Sequence, residues 1–188
     1  MADITGTFRL GPDNGRVVLK TGRQGIAAKA GHDLTIEVTR WSAQIEVPDE
    51  AAGGVTAATV SAELDLGSLQ VRDGTGGAKP LTDRDRRDIE GTAGKTLGAG
   101  ATASFASTRV IPSQAGGAIE GTLTLHGASR PVRLQVISPA PGRYQGTAEV
   151  RQTDFGITPY SGFFGALKLR DEVTVEFEVD LGEARNSA

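Results

Sequence analysis

Apolar and polar residues alternate along most of the chain. The alternation is most regular near the C-terminal end, where Val173, Val175, Phe177 and Val179 interleave with Thr174, Glu176, Glu178 and Asp180. Successive side chains of a strand point to opposite faces, so this run reads as a strand buried on one side. Leu34, Ile36 and Val38 alternate in the same way; the phase then shifts near Arg40 and continues through Trp41, Ala43, Ile45 and Val47 to Pro48. The shift predicts a bulge or bend at that point. Further strands are predicted over residues 56–66, with Val60, Ala62 and Leu64 in phase, 101–111 around Phe105, and 119–126 with Leu123 and Leu125 in phase, then over 132–137 and 143–153. Residues 8–10 and 17–20 are weaker candidates, which brings the expectation to eight to ten strands. Glycine or proline separates most of them, at Gly53-Gly54, 112–117, 139–142 and 159–162.

One segment has a different period. Over residues 80–97, Leu81, Ile89, Ala93 and Leu97 recur at helical intervals, and Thr82 with Asp85 three positions on forms an N-terminal capping pattern. Asp83 and Arg87 stand four apart, the spacing of a helical ion pair. Gly91 and Gly94 weaken the second half and predict an irregular or broken helix. Residues 72–79, rich in glycine, read as an exposed loop. Strands and helices do not alternate, which disfavours a parallel sheet and leaves an all-β antiparallel barrel or sandwich with one inserted helix. Barrel closure removes strand edges that would otherwise be exposed.

Composition agrees with this picture and adds to it. Glycine (26) and proline (8) occupy 34 of 188 positions, against roughly 12% of residues in average usage, which argues against a helix bundle. The length suits one domain, residues 1–188 with a core over about 5–181. Alanine supplies 24 of the apolar residues and aromatics only nine, so inward strand faces carry small side chains. A net charge of −3, one Trp and two Tyr offer neither the basic footprint nor the stacking surface of a nucleic-acid binder. No apolar run is long enough for a transmembrane segment, and Met1-Ala2-Asp3-Ile4 lacks the pattern of a secretory signal, so a cytoplasmic protein is expected. The absence of cysteine excludes disulfides and thiolate chemistry.

Catalytic motifs are mostly missing. Gly94-Lys95-Thr96 resembles the end of a phosphate-binding loop, but Ile89 stands where its first glycine belongs. The glycines at 98 and 100 fit a loose dinucleotide pattern, yet they leave a helix and enter a strand, the reverse of the required geometry. Asp83, Asp85 and Asp88 resemble a calcium loop except that Arg87 takes a ligand position. The two histidines, His32 and His126, form no zinc-protease motif, and no metal site is expected. His32 beside Asp33 suits a turn cap, a contact to a ligand headgroup, or a general base. His126 suits a turn hydrogen bond.

Several segments together resemble one family. Residues 121–134, the Asp154-Phe155-Gly156-Ile157 turn after Arg151, and residues 169–178 are similar in order and spacing to segments of the YceI-like family. The helix followed by Phe105 in its strand, and Gly31-His32-Asp33-Leu34, extend the resemblance over residues 5–181. It implies an extended lipocalin-like antiparallel β-barrel with a helix near its mouth, which in relatives holds a polyisoprenoid or similar long apolar molecule.

An eight-stranded barrel is either filled by side chains or just wide enough for one ligand. Val60, Ala62 and Leu64, with Gly146, Ala148 and Val150, are small to middling and favour a lumen; Phe105, Phe177 and Trp41 are the residues that would fill it. The expected function is a non-catalytic carrier with an apolar lipid partner, such as a polyprenyl chain, a quinone or a fatty acid, and no other cofactor. Its wall would include Val60, Ala62, Leu64, Phe105, Leu123, Leu125, Ala148 and Phe177, with His32, Arg151 and Tyr160 as polar contacts near the mouth. Phe163 and Phe164 would contact the ligand as a gate. Two alternatives stay open: an enzyme on an apolar substrate using His32 and Asp33, and a filled-barrel homodimer that uses the Phe163-Phe164 pair as its contact.

Overall fold

The computed structural model describes residues 4–184, so the leader reading at Met1-Ala2-Asp3 lies outside the described residues. The strands are β1 (Gly6–Leu10), β2 (Gly15–Gln24), β3 (Asp33–Val38), β4 (Trp41–Val47), β5 (Thr59–Asp65), β6 (Leu69–Thr75), β7 (Thr102–Ser113), β8 (Gly116–Leu125), β9 (Ala128–Ala140), β10 (Arg143–Arg151), β11 (Ser161–Gly162) and β12 (Leu167–Asp180). Two helices accompany them, α1 (Asp83–Leu97) and the short α2 (Leu181–Ala184). All strand pairs are antiparallel, and the pairing path runs β1-β4-β5-β7-β8-β9-β10-β12-β2-β3-β6, with β11 beside β12. The lipocalin-like all-β class holds, with twelve strands in place of eight to ten. The additional two are β11 and β6, whose second half occupies positions that read as loop.

Connectivity forces this sheet to curl. β1 and β6 stand at opposite ends of the path, yet three short links join the two ends: residues 11–14 between β1 and β2, Thr39-Arg40 between β3 and β4, and the turn Leu66–Ser68 between β5 and β6. Chain segments a few residues long span only ~3.5 Å per residue, so the two ends of the sheet must lie close together. Thr39-Arg40 is therefore not a bulge within one strand but a corner at which the chain crosses the seam. The two corners are tied to each other: the Thr39 amide donates to the Ser68 carbonyl, the Asp65 amide to the Arg40 carbonyl (3.0 Å), and the Arg40 amide to Ser68 Oγ (2.9 Å).

Among the described residues no ladder joins β1 to β6, so hydrogen bonding leaves the barrel incomplete and side chains close it. Phe8 and Leu10 of β1 meet Val38 of β3, Leu69 of β6 and Trp41 of β4 in one cluster; Phe8 and Val38 are the most deeply buried large side chains. The free edge of β6 is covered by α1. Arg86 Nη1 donates to the Val71 carbonyl (2.9 Å) and Glu90 Oε1 accepts the Val71 amide (2.8 Å), so helix side chains occupy both backbone groups of an edge residue.

The expected helix forms from its capping box: Thr82 Oγ1 accepts the Asp85 amide (3.2 Å) and Asp85 Oδ2 accepts the Thr82 amide (2.9 Å). It runs unbroken through Gly91 and Gly94, because Leu81 and Ile89 pack on Leu34, Ile36 and Val71 and the tertiary contact outweighs the glycine propensity. Asp83 pairs with Arg86 (3.9 Å), not Arg87, and Arg84 pairs with Asp88 (3.8 Å). β9 begins at Ala128, ahead of Pro131, which the alternation had placed outside the strand. Around Pro131 the strand pairs only with β8 and not with β10, so proline's missing N–H costs no ladder bond.

Candidate functional site

The curled sheet encloses a cavity of about 810 Å³. Its walls are the inward faces that alternation placed there: Val60, Ala62 and Leu64 of β5, Phe105 of β7, Leu123 and Leu125 of β8, Ala148 of β10 and Phe177 of β12 all line it. His32, Tyr160 and Phe163 line it too. Arg151 does not. Val150 beside it takes the inward position, and Arg151 lies on the outer face with Nε 3.5 Å from Asp171 Oδ2 and 3.9 Å from Glu172 Oε1. Phe164 also stays outside, fully exposed.

The three aromatic rings with the bulk to fill the lumen, Phe105, Phe177 and Trp41, each sit over a glycine. Phe177 faces Gly146 across the β10–β12 ladder, and a Cβ on Gly146 would collide with the Phe177 ring. A Cβ on Gly121 of β8 would likewise meet the Phe105 ring, and one on Gly15 would come 3.0 Å from Trp41 Cη2. Each ring thus lies over a strand position that carries no side chain. Gly146 consequently does not line the lumen itself, as its inward phase suggested; it makes room for Phe177 to leave the lumen open. The alanines at 62, 103, 118 and 148 complete the thin wall.

Polar groups concentrate at one end. There α1 lies over the opening, and Thr21, Arg23, His32, Gln152, Thr158 and Tyr160 face the cavity along with Asp85, Asp88 and Thr92 of the helix. The opposite end is formed by Ile4, Val47, Val55, Ile111, Val136 and Leu181, with the Tyr144 phenol as its polar group. Burial raises the Tyr144 pKa above the usual tyrosine value.

Several polar side chains at the α1 end have structural partners that define their tasks, whereas the buried Thr21 Oγ1 has none. His32 Nε2 lies 2.8 Å from the Lys79 carbonyl and pins the segment that leads into α1. Asp33, the next residue, accepts the Arg23 amide at 2.8 Å on the other face of β3, so His32 and Asp33 are each engaged elsewhere and do not form an acid–base pair. Arg23 Nη1 donates to the Gly31 and Thr75 carbonyls (2.9 and 3.0 Å). Asp85 is held below the usual carboxylate range by the hydrogen bond from Thr82. His126 occupies the β8–β9 turn with φ 51° beside Gly127 at φ 78°, a pair of left-handed residues suited to a tight hairpin, and its Nδ1 lies 3.2 Å from the Phe155 carbonyl. Among the described residues no three acidic or histidine side chains converge as a metal-holding group.

Phe163 and Phe164 sit in a turn with φ 49° and 54°, a backbone region that non-glycine residues rarely adopt. Phe163 lines the cavity mouth while 64% exposed, and Ile26, also exposed, stands beside the turn, where the Ala27 amide donates to the Ala166 carbonyl.

Thr21, Arg23, Gln152 and Thr158 were not singled out by sequence, nor were the polar residues Asp85, Asp88 and Thr92 of α1 as part of the lining. For Thr21 and Arg23 a signal existed: they continue the parity of Val17 and Leu19. Polarity concealed it, because an inward strand position is normally recognised by being apolar.

Comparison with known proteins agrees with this architecture. A sequence model described as the YceI-like domain matches residues 9–181. The fold is similar to the crystal structure of Burkholderia cenocepacia BcnA, with a TM-score of 0.57 at 15% identity over 88% of this chain and 94% of that one. The Campylobacter jejuni YCEI protein aligns over 77% of this chain and 82% of its own at 15% identity, with a TM-score of 0.48. No curated protein matches. Among the described residues no helix is long and apolar enough to cross a membrane.

Proposed function

The chain belongs to the YceI-like family, and from that premise we propose that it is a non-catalytic carrier holding one long apolar lipid, of the polyisoprenoid, quinone or fatty-acid class, inside its barrel. The observation that carries this reading is the apolar cavity, kept open by three aromatic rings parked on glycines.

Magnitude selects the ligand class. At roughly 30 Å³ per water-sized unit, about 810 Å³ takes on the order of 27 non-hydrogen atoms, about five isoprene units. Each buried methylene contributes about 0.8 kcal/mol, and association costs about 4–15 kcal/mol, so a ligand needs well over ten buried carbons to bind tightly. A small polar metabolite fails this requirement. The acid–base alternative is disfavoured by the separate engagements of His32 and Asp33.

The test is native purification without detergent, followed by organic extraction and mass spectrometry. A co-purifying lipid of about twenty or more carbons is expected, and an Ala62→Phe, Ala148→Phe double variant that keeps the fold should lose it. A protein that carries no lipid, and whose Trp41 emission does not respond to a polyprenol, a quinone or a fatty acid, would refute the proposal.

A further inference from the structure

Beyond one end of the β2–β12 ladder two loops leave the sheet side by side. Gln24 pairs with Lys168 at that end, and the Ala27 amide donates to the Ala166 carbonyl (2.9 Å), which ties residues 25–27 to the turn at 163–166. Of the six large hydrophobic side chains exposed among the described residues, four lie here: Ile26 at 98%, Tyr160 at 45%, Phe163 at 64%, and Phe164, fully exposed. Phe163 and Phe164 hold positive φ angles that strain any residue other than glycine, so the backbone is bent at a cost in a turn that sets Phe164 in water. A fold stabilised by apolar burial gains nothing from that arrangement. Tyr160, Phe163 and Leu167 also line the lumen, so this tip is continuous with the cavity mouth.

The tip is cationic on a chain whose net charge is −3. Residues 22–32 and 155–170 contain Arg23, Lys29, Lys168 and Arg170 and no Asp or Glu. Lys29, Lys168 and Arg170 are exposed, and among the described residues none of the three is in an ion pair. The carboxylates that border these segments and the mouth are engaged: Asp33 accepts the Arg23 amide, Asp171 accepts from Thr153 and pairs with Arg151, Asp85 caps α1, and Asp88 pairs with Arg84. Exposed apolar side chains flanked by cations match an anionic bilayer, where the rings enter the acyl boundary and the cations meet the headgroups. Resting on the carrier reading, we propose that residues 25–29 and 160–170 form a membrane-docking tip at which the barrel collects and returns its lipid on an anionic phospholipid surface. A second copy of the chain is a poorer occupant, because a two-fold contact through this patch would set Lys29, Lys168 and Arg170 of the two copies against each other.

The test is flotation of the full chain with vesicles of phosphatidylcholine alone and of phosphatidylcholine with one-third phosphatidylglycerol, at low and at high salt. Lumen occupancy is followed in parallel by geranylgeraniol titration of Trp41, the single tryptophan of the chain, which lines the cavity. The wild-type chain should float with the anionic vesicles, only weakly with the neutral ones, and less at high salt. Ile26→Ser with Phe164→Gly should weaken anionic-vesicle binding by at least about 10-fold, since full burial of one such side chain is worth at least that factor. The glycine also relieves a positive φ, so the fold is kept and geranylgeraniol binds in solution with unchanged affinity. Lys29→Ala with Lys168→Ala should cost about 5-fold per cation removed. Failure of the wild-type chain to float, or flotation that the Ile26→Ser, Phe164→Gly variant retains in full, overturns the docking tip. So does a doubling of mass at high protein concentration that Phe164→Gly abolishes, which would make the patch a contact between copies. Geranylgeraniol binding that persists in those cases leaves the carrier intact, whereas flotation without any Trp41 response to geranylgeraniol overturns the carrier and with it the transfer of lipid at the tip.

Discussion

A single methyl group placed at Gly146 tests the mechanism that keeps the lumen open. Gly146 lies directly across from Phe177, and its backbone needs no left-handed conformation, so Gly146→Ala carries no dihedral penalty. In open space the change would stabilise by about 0.4–1 kcal/mol through the unfolded chain. Here the new Cβ overlaps the Phe177 ring and comes 2.9 Å from the Gln135 carbonyl, so the ring must leave its seat and swing into the cavity. Overpacking of this kind costs about 1–3 kcal/mol. The difference is a net loss of up to about 2.5 kcal/mol, which for a domain of this size lowers Tm by up to about 10 °C. The displaced ring also shortens the space available to a ligand, so affinity for a C20 or longer chain should fall while a C10 chain binds as before. The assay is a double-mutant cycle with Phe177→Leu, read by thermal melts and by Trp41 titration. In the Phe177→Leu background the alanine should be neutral or stabilising, a coupling of at least about 1 kcal/mol. Equal destabilisation in both backgrounds, with unchanged chain-length preference, would refute the idea that this glycine seats the ring.

Three further outcomes follow from the same geometry. His32→Ala removes the hydrogen bond to the Lys79 carbonyl and should lower stability by about 0.5–1.5 kcal/mol, with hydrogen exchange accelerated first in α1. Asp85 and Asp171 have pKa values lowered mainly by hydrogen bonds from Thr82 and Thr153. A depressed folded pKa adds stability that is complete above the unfolded value near 4 and is lost as pH falls through the folded value, so melts should be flat from pH 7 to about 5 and decline below about 4. Asp85→Asn should make that acid decline shallower; identical profiles would contradict the assignment. Arg151→Ala should leave lipid binding unchanged and shift stability by less than about 1 kcal/mol, because its ion pairs are on the outer face.

Much of the site was legible because a strand has a strict period of two. Once Phe105, Leu123, Ala148 and Phe177 were in phase with their neighbours, the face they share was decided by local geometry, and the cavity is built from that face. The same rule places Arg151 outward beside Val150, against the expectation that it contacts a ligand near the mouth. α1 was legible from Thr82, Asp85 and the Leu81, Ile89, Ala93, Leu97 spacing, since a capping box and an apolar stripe are local features.

What the chain determined by itself was therefore the set of elements, the faces they present and the small side chains along those faces. Tertiary structure decided how the ends of the sheet meet. Alternation reads through Thr39-Arg40 as a disturbed single strand, because a corner and a bulge break the phase alike and only pairing partners tell them apart. It also decided that the lumen is open. Phe105, Phe177 and Trp41 fill a barrel or line it according to what stands opposite, and the glycines that receive them are 16, 31 and 26 positions away in sequence. Thr21 is the same case: whether a hydroxyl in a strand is satisfied depends on neighbours that the fold, not the local sequence, puts within reach.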